Sequence, residues 1–164
     1  MSSGEKVTVN TRGEREVVIT RGFDATPSLV FDALTKPELL RRWYGPDGWT
    51  LAVCEIDLRV GGKWHFVSRR PDGKEIGQLG VYQDIQRPER IVNTESWEDW
   101  DAGETLVTIE LSDRNGKTAF TSTILFPSRE VRDTVLKSGL KHGVEASYDK
   151  LAGVLASIAE NIKY

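Results

Sequence analysis

His65, His142 and Cys54 are the side chains of this 164-residue sequence best suited to hold a metal or attack a substrate. Their surroundings argue for neither. His65 alternates with Trp64 and Phe66, so in a strand it points away from the face those two rings share. The two histidines lie far apart, and no cysteine or carboxylate stands at ligand spacing from either, so no metal site is expected. Cys54 falls on the apolar face of an alternating segment, where a thiol is buried and inert, and alone it can form no internal disulfide. Glu55, Asp57 and Arg59 precede Gly61-Gly62, and a carboxylate paired with the guanidinium would pin that hairpin rather than exchange protons. Glu95 and Glu98 flank Trp97. Exposure is the default for both, and a buried carboxylate there would be a tuned acid or base. No nucleophile elbow, phosphate loop or dinucleotide fingerprint occurs, and Gly77-Gln78-Leu79-Gly80 reads as a strand with glycines. No catalytic residue is assigned and no cofactor is expected.

Binding is better represented than reaction. Five tryptophans are many for this length, and rings with one polar edge suit apolar pockets that carry a few oriented polar groups. Trp43 and Trp64 are the stronger candidates for a cavity wall, with Tyr44, Phe66, Phe120 and Leu136 beside them. Facing them is the start of a C-terminal helix built from small residues, Gly139, Gly143, Ala146 and Ser147. A glycine inside a helix costs about 1 kcal/mol relative to alanine. Either a ligand uses the space above Gly143 and Ser147, or a bulky side chain such as Trp64 packs on bare helix backbone there. His142 lies off the apolar stripe of that helix and is expected to be exposed, with the cavity mouth as the alternative.

These residues need a scaffold, and the periodicity supplies one. Residues 15–23 are β-branched and read as a strand. Residues 25–45 read as two short helices, with Thr26 as N-cap, Pro27 at the first helical position and Pro37 restarting the pattern. Period-two segments follow at 49–58, 63–68, 75–86, 90–98, 104–112 and 117–126, separated by turn sequences such as Pro71-Asp72-Gly73 and Arg114-Asn115-Gly116. In the segment 49–58, Ala52, Cys54, Ile56 and Leu58 share one face. In the last strand Phe120, Ile124 and Phe126 share a face opposite Ala119, Thr121 and Thr123, as in an antiparallel sheet with one buried side. Ser128 caps a short helical turn that Gly139 ends. From Leu140 onward Val144, Tyr148, Leu151, Leu155, Ile158 and Ile162 recur three or four apart, a long amphipathic helix. The expected class is α+β: a curved antiparallel sheet of six or seven strands wrapped around that helix, with two short helices after the first strand.

The bulk numbers agree. Apolar residues at 38% and charged residues at 29% describe a globular chain. Residues 1–15 are polar and read as a flexible arm, and 16–164 read as a single domain. A net charge of −3 with interspersed signs gives no footprint for nucleic acid, and no basic helix face or long apolar run suggests a membrane. The N-terminus lacks a secretory signal pattern, so cytoplasmic residence is expected. A homodimer is left open.

The order of elements resembles the helix-grip fold of the START-like, birch-pollen-allergen-like superfamily. The segments FDATPSLVFDALTKPELLRRWYGPDGW (23–49), CEIDLRVGGKWHF (54–66), GVYQDIQRPERIVNTESW (80–97) and SREVRDTVLKSGLKHGVEASYDKLAGVL (128–155) resemble the bacterial branch of the heat-shock-protein-90 ATPase activator-like family. The resemblance implies a cavity between sheet and terminal helix and hands over no catalytic residue. The expected function is binding of a small apolar or aromatic molecule there, as a carrier, sensor or scavenger. Related helix-grip proteins include polyketide cyclases and aromatases, which makes an enzyme using the same cavity the alternative. The family name implies a further one, a co-chaperone that stimulates a heat-shock ATPase.

Overall fold

The computed structural model describes residues 5–162. Its strands are β1 (Thr8–Arg12), β2 (Glu16–Phe23), β3 (Thr50–Ile56), β4 (Lys63–Arg69), β5 (Glu75–Gln86), β6 (Arg90–Trp97), β7 (Trp100–Arg114) and β8 (Lys117–Leu125). Its helices are α1 (Pro27–Thr35), α2 (Pro37–Trp43), α3 (Arg129–Lys137) and α4 (Leu140–Ile162). The strands form one sheet in the order β1-β2-β8-β7-β6-β5-β4-β3, antiparallel at every pairing. This is the α+β helix-grip architecture expected from the sequence. The strand count differs, eight in place of six or seven. The added strand is β1, whose sequence TVNTR offers no apolar face of its own. It is an edge strand held by its ladder to β2, while Val7 and Val9 pack beside Val17 and Ile19. Part of the segment expected as a loose arm is therefore paired, and residues 1–4 lie outside the described residues.

Local chemistry sets the helix ends. The Thr26 hydroxyl accepts from the Leu29 amide, and Pro27 starts α1 where no amide donor is needed. Pro37 holds Lys36 in extended conformation (φ −97°, ψ 121°), which ends α1 and begins α2 at one residue. Ser128 caps α3 by accepting from Val131 N. Gly139 has φ +97°, a conformation that side chains rarely adopt, and turns the chain between α3 and α4. One face assignment changes. A bulge between Leu51 and Val53 shifts the parity of β3, so Leu51 and Cys54 are buried, Ala52 is only half-buried, and Leu58 beyond the strand is exposed.

The core has two parts. One gathers Phe23, Phe31, Leu40, Leu111 and Phe120 around the later turns of α4, where Leu151 and Leu155 are 0% and 1% exposed. The other joins Val17, Ile19 and Phe126 to α3 and the first turns of α4 through Val135, Leu136 and Val144. The side chain of Ile162, the last residue of the expected stripe, lies outside the described residues. Among the described residues no helix is long and apolar enough to cross a membrane.

Complete burial makes the two leucines the clamp of the fold. Leu155→Ala is expected to cost about 2–5 kcal/mol through lost transfer energy and an unfilled void. The check is a lower urea midpoint at unchanged slope. A midpoint equal to the parent's would show that α4 does not close the core at this position.

Candidate functional site

Between the two parts of the core a cavity of about 440 Å³ opens between the sheet and the first turns of α4. Alternation along the strands aims one side chain in two at it: Trp64, Phe66 and Ser68 from β4, then Ile76, Gln78 and Tyr82 from β5. From β6 come Ile91, Asn93, Glu95 and Trp97, all of one parity. The roof is α4, whose Leu140, Gly143, Val144, Ser147 and Tyr148 lie on one helical face. Trp43 and Tyr44 at the end of α2, with Pro46 and Trp49 after it, form the remaining side.

Six of the eight residues singled out in the sequence therefore meet at one cavity: Trp43, Tyr44, Trp64, Phe66, Gly143 and Ser147. Phe120 and Leu136 do not line it. Phe120 is 1% exposed and packs edge-on against Tyr148 at 5.8 Å or less from both Tyr148 and Phe23, supporting the wall from behind. Leu136 packs in the second core part, because α3 presents Val135 to the cavity instead. His142 is exposed, and His65 sits outside between Glu98 and Glu55, whose carboxylates raise its pKa. Arg59 pairs with Asp57 at 2.9 Å on the surface. Cys54 is buried, and burial pushes its thiol up to about 11, which leaves it protonated and unreactive. Among the described residues no cluster of three metal-ligating side chains occurs.

The wall is apolar for a structural reason. The Trp43 indole donates to Ala33 O at 2.9 Å and the Trp64 indole donates to Thr94 O at 3.1 Å. Both polar edges are thereby spent on backbone, and carbon faces the cavity. The second bond depends on Gly80, where a Cβ would lie 1.8 Å from Thr94 O and 2.7 Å from the Trp64 nitrogen. Tyr44 donates to Gln78 Oε1 at 3.1 Å and stacks edge-on against Phe66 with centroids 5.3 Å apart. At Gly143 the sequence left ligand space and close packing of a side chain such as Trp64 as alternatives. A Cβ built there would meet only the Pro46 ring at 3.7 Å, so no bulky side chain is packed against the bare helix.

One polar group breaks this pattern. Glu95 is half-buried where it lines the cavity, and the desolvation it meets there pushes its carboxyl from 4.5 up to about 7. No charge or hydrogen bond from a described residue offsets that burial. The hydroxyls of Tyr44 and Tyr148 are also pushed up, first by burial and then by the Glu95 charge. The sequence set Glu95 at the surface by default, with a buried, tuned carboxyl as the alternative, and its shared parity with Ile91 and Trp97 was the signal for the latter.

Comparison with known proteins follows the architecture. The sequence profile of the family described as activator of Hsp90 ATPase homolog 1-like protein matches residues 24–156. No curated protein matches the chain. Among solved structures, a Rhodobacter sphaeroides protein superposes with TM-score 0.87 at 30% identity, covering 93% of this chain and 99% of its own. A Nitrosomonas europaea protein reaches 0.82 at 23% identity, covering 92% of this chain and 99% of its own. A Mycobacterium smegmatis protein reaches 0.83 at 22% identity, covering 91% and 96%. The latter two show the fold alone.

The Glu95 environment has a consequence for stability. Between its ordinary value of 4.5 and about 7, the folded chain holds a proton that the unfolded chain releases. Stability therefore falls as pH rises through that window and levels off above it. Relative to Glu95→Gln, the parent is expected to lose up to about 3 kcal/mol between about pH 4 and pH 8. Urea midpoints of both proteins at the two pH values check this. A difference that stays constant with pH would place the carboxyl in water.

Proposed function

The chain belongs to the family of activator of Hsp90 ATPase homolog 1-like proteins, and from that premise we propose that it binds a small apolar or aromatic molecule in the cavity, as a carrier, sensor or scavenger. The observation that carries this reading is the cavity beside Gly143, where the one neighbour a Cβ would meet is the Pro46 ring at 3.7 Å and no aromatic side chain of the sheet fills the space. The volume of about 440 Å³ falls within the range of small-molecule sites, and the aromatic wall with few polar groups has their usual make-up.

A second reading has one observation in its favour. Glu95 and Tyr82 both line the cavity, and a carboxyl that titrates near neutrality can take or give a proton, so an enzyme of the cyclase or aromatase kind could use the same space. Arg59 and His142, the other polar candidates, lie at the surface away from it. The binding reading requires only the cavity and is the one adopted.

Gly143→Leu separates a cavity from packed protein. The new side chain is expected to fill the space, abolish the fluorescence of bound N-phenylnaphthylamine, and leave the urea midpoint near or above the parent's. Gly143→Ala, which adds one methyl against Pro46, is expected to stabilise by up to about 1 kcal/mol through helix propensity. A parent that binds no probe, together with a leucine variant destabilised by about 1–3 kcal/mol, would show overpacking and remove the site.

A further inference from the structure

The chemistry of the cavity is asymmetric in charge. Its wall contains no lysine, arginine, histidine or aspartate among the described residues. Its titratable groups are Glu95 on β6, Tyr44 after α2, Tyr82 on β5 and Tyr148 on α4. Cys54 on β3 lies close enough to be felt by Tyr44 and Tyr82. Burial pushes all three hydroxyls and the thiol well up, so they stay neutral at and below neutrality. Only Glu95 can carry a full charge there, and that charge is negative. At the rim the Lys150 ammonium is turned to the Pro46 carbonyl at 3.3 Å, and no described residue pairs with Glu95.

A carboxylate without a partner in apolar surroundings is unfavourable until something pairs with it. Serine or asparagine at position 95 would have supplied polarity at a smaller cost. The same cavity is lined by aromatic rings, whose faces can attract a cation by their quadrupoles and shield its apolar body from water. Trp43, Tyr44, Trp64 and Phe66 form a continuous run of ring contacts, with neighbouring centroids between 4.9 and 5.8 Å apart. We propose that the ligand is a lipophilic amine, bound as its ammonium ion with the cationic head on Glu95 and the apolar body along these rings. The inference rests on the cavity reading above and specifies the chemical class that fills it. An ammonium makes charge-assisted hydrogen bonds to the carboxylate. An alcohol of the same shape leaves the charge unneutralised, and a carboxylic acid anion is repelled.

The test uses three probes of one shape, naphthalenemethylamine, naphthalenemethanol and naphthoate, titrated calorimetrically into the full chain and into Glu95→Gln. At about pH 8 the parent is expected to bind the amine about tenfold or more tighter than the alcohol, and naphthoate more weakly than either. In Glu95→Gln the amine is expected to fall to the level of the alcohol or below it, with the alcohol nearly unmoved. Lowering the pH from about 8 to about 5.5 protonates Glu95 in the free protein, so amine affinity should drop about tenfold or more, with proton release on binding. That pH series on the parent stands even where the glutamine variant folds poorly. Equal affinity for amine and alcohol, or an amine affinity indifferent to pH and to Glu95→Gln, overturns the amine assignment and leaves the cavity reading intact. Alcohol binding at about pH 5.5 that is tighter than amine binding at about pH 8 also overturns it, and makes Glu95 a proton donor to a neutral ligand. Failure of all three probes and of N-phenylnaphthylamine overturns the cavity reading itself.

Discussion

A helix lying across a curved sheet can close on it only where side chains are long enough to bridge the two. In this protein α4 meets that constraint along half of its length. Leu151 and Leu155 are fully buried and join the helix to the main core with α1 and α2. One and two turns earlier the same face carries the small residues Ser147 and Gly143, which line the cavity, and a Cβ at Gly143 would meet only the Pro46 ring. Clamped at one end and unfilled at the other, the helix holds a space open that interiors normally do not tolerate. The stability lost there is offset by the leucine clamp and by the second core part around Val17, Ile19 and Phe126.

An unfilled space stays apolar only if the polar groups around it are satisfied elsewhere. The two indoles do so through Ala33 and Thr94 carbonyls, and the glycine at position 80 is what lets β6 approach Trp64 closely enough. Tyr44 and Gln78 satisfy each other. Against that background Glu95, half-buried on the cavity wall and without a partner among the described residues, is conspicuous. Stability alone would favour an apolar residue at its position, since a partly desolvated carboxyl without a partner contributes only cost. Groups that break a local rule without local compensation concentrate where function requires them. The aromatic wall and the lone carboxyl thus act together: one provides the affinity for an apolar body, the other its orientation.

Much of this was legible in the sequence, because many elements announce themselves through chemistry that acts at short range. Thr26-Pro27, Pro37, Ser128 and Gly139 mark the helix ends by capping and dihedral restriction, and all do so in the structure. The spacing of Leu151 and Leu155 identified the buried stripe. Features that depend on partners distant in sequence were not legible. β1 has no face pattern, since an edge strand can be held by its ladder alone. The bulge in β3 turns Leu51 inward in place of Ala52 while Cys54 and Ile56 keep their face, and no residue type in TLAVCEI signals it. Phe120 has the right parity for the cavity, but Tyr148 reaches across and covers it. Glu95 was set at the surface by the rule that carboxylates face water, which holds until a cavity supplies a surface that is neither solvent nor core.

The central claim is that an apolar molecule enters between α4 and the aromatic wall. Nuclear magnetic resonance mapping with N-phenylnaphthylamine reads this directly, because indole and amide protons report position residue by residue. The account predicts shifts at the Trp43 and Trp64 indoles and at the Gly143 and Ser147 amides, with the Asn115–Gly116 hairpin unmoved. Shifts gathered instead on the outer surface around the exposed Leu79 and Trp100, with those four signals in place, would contradict it.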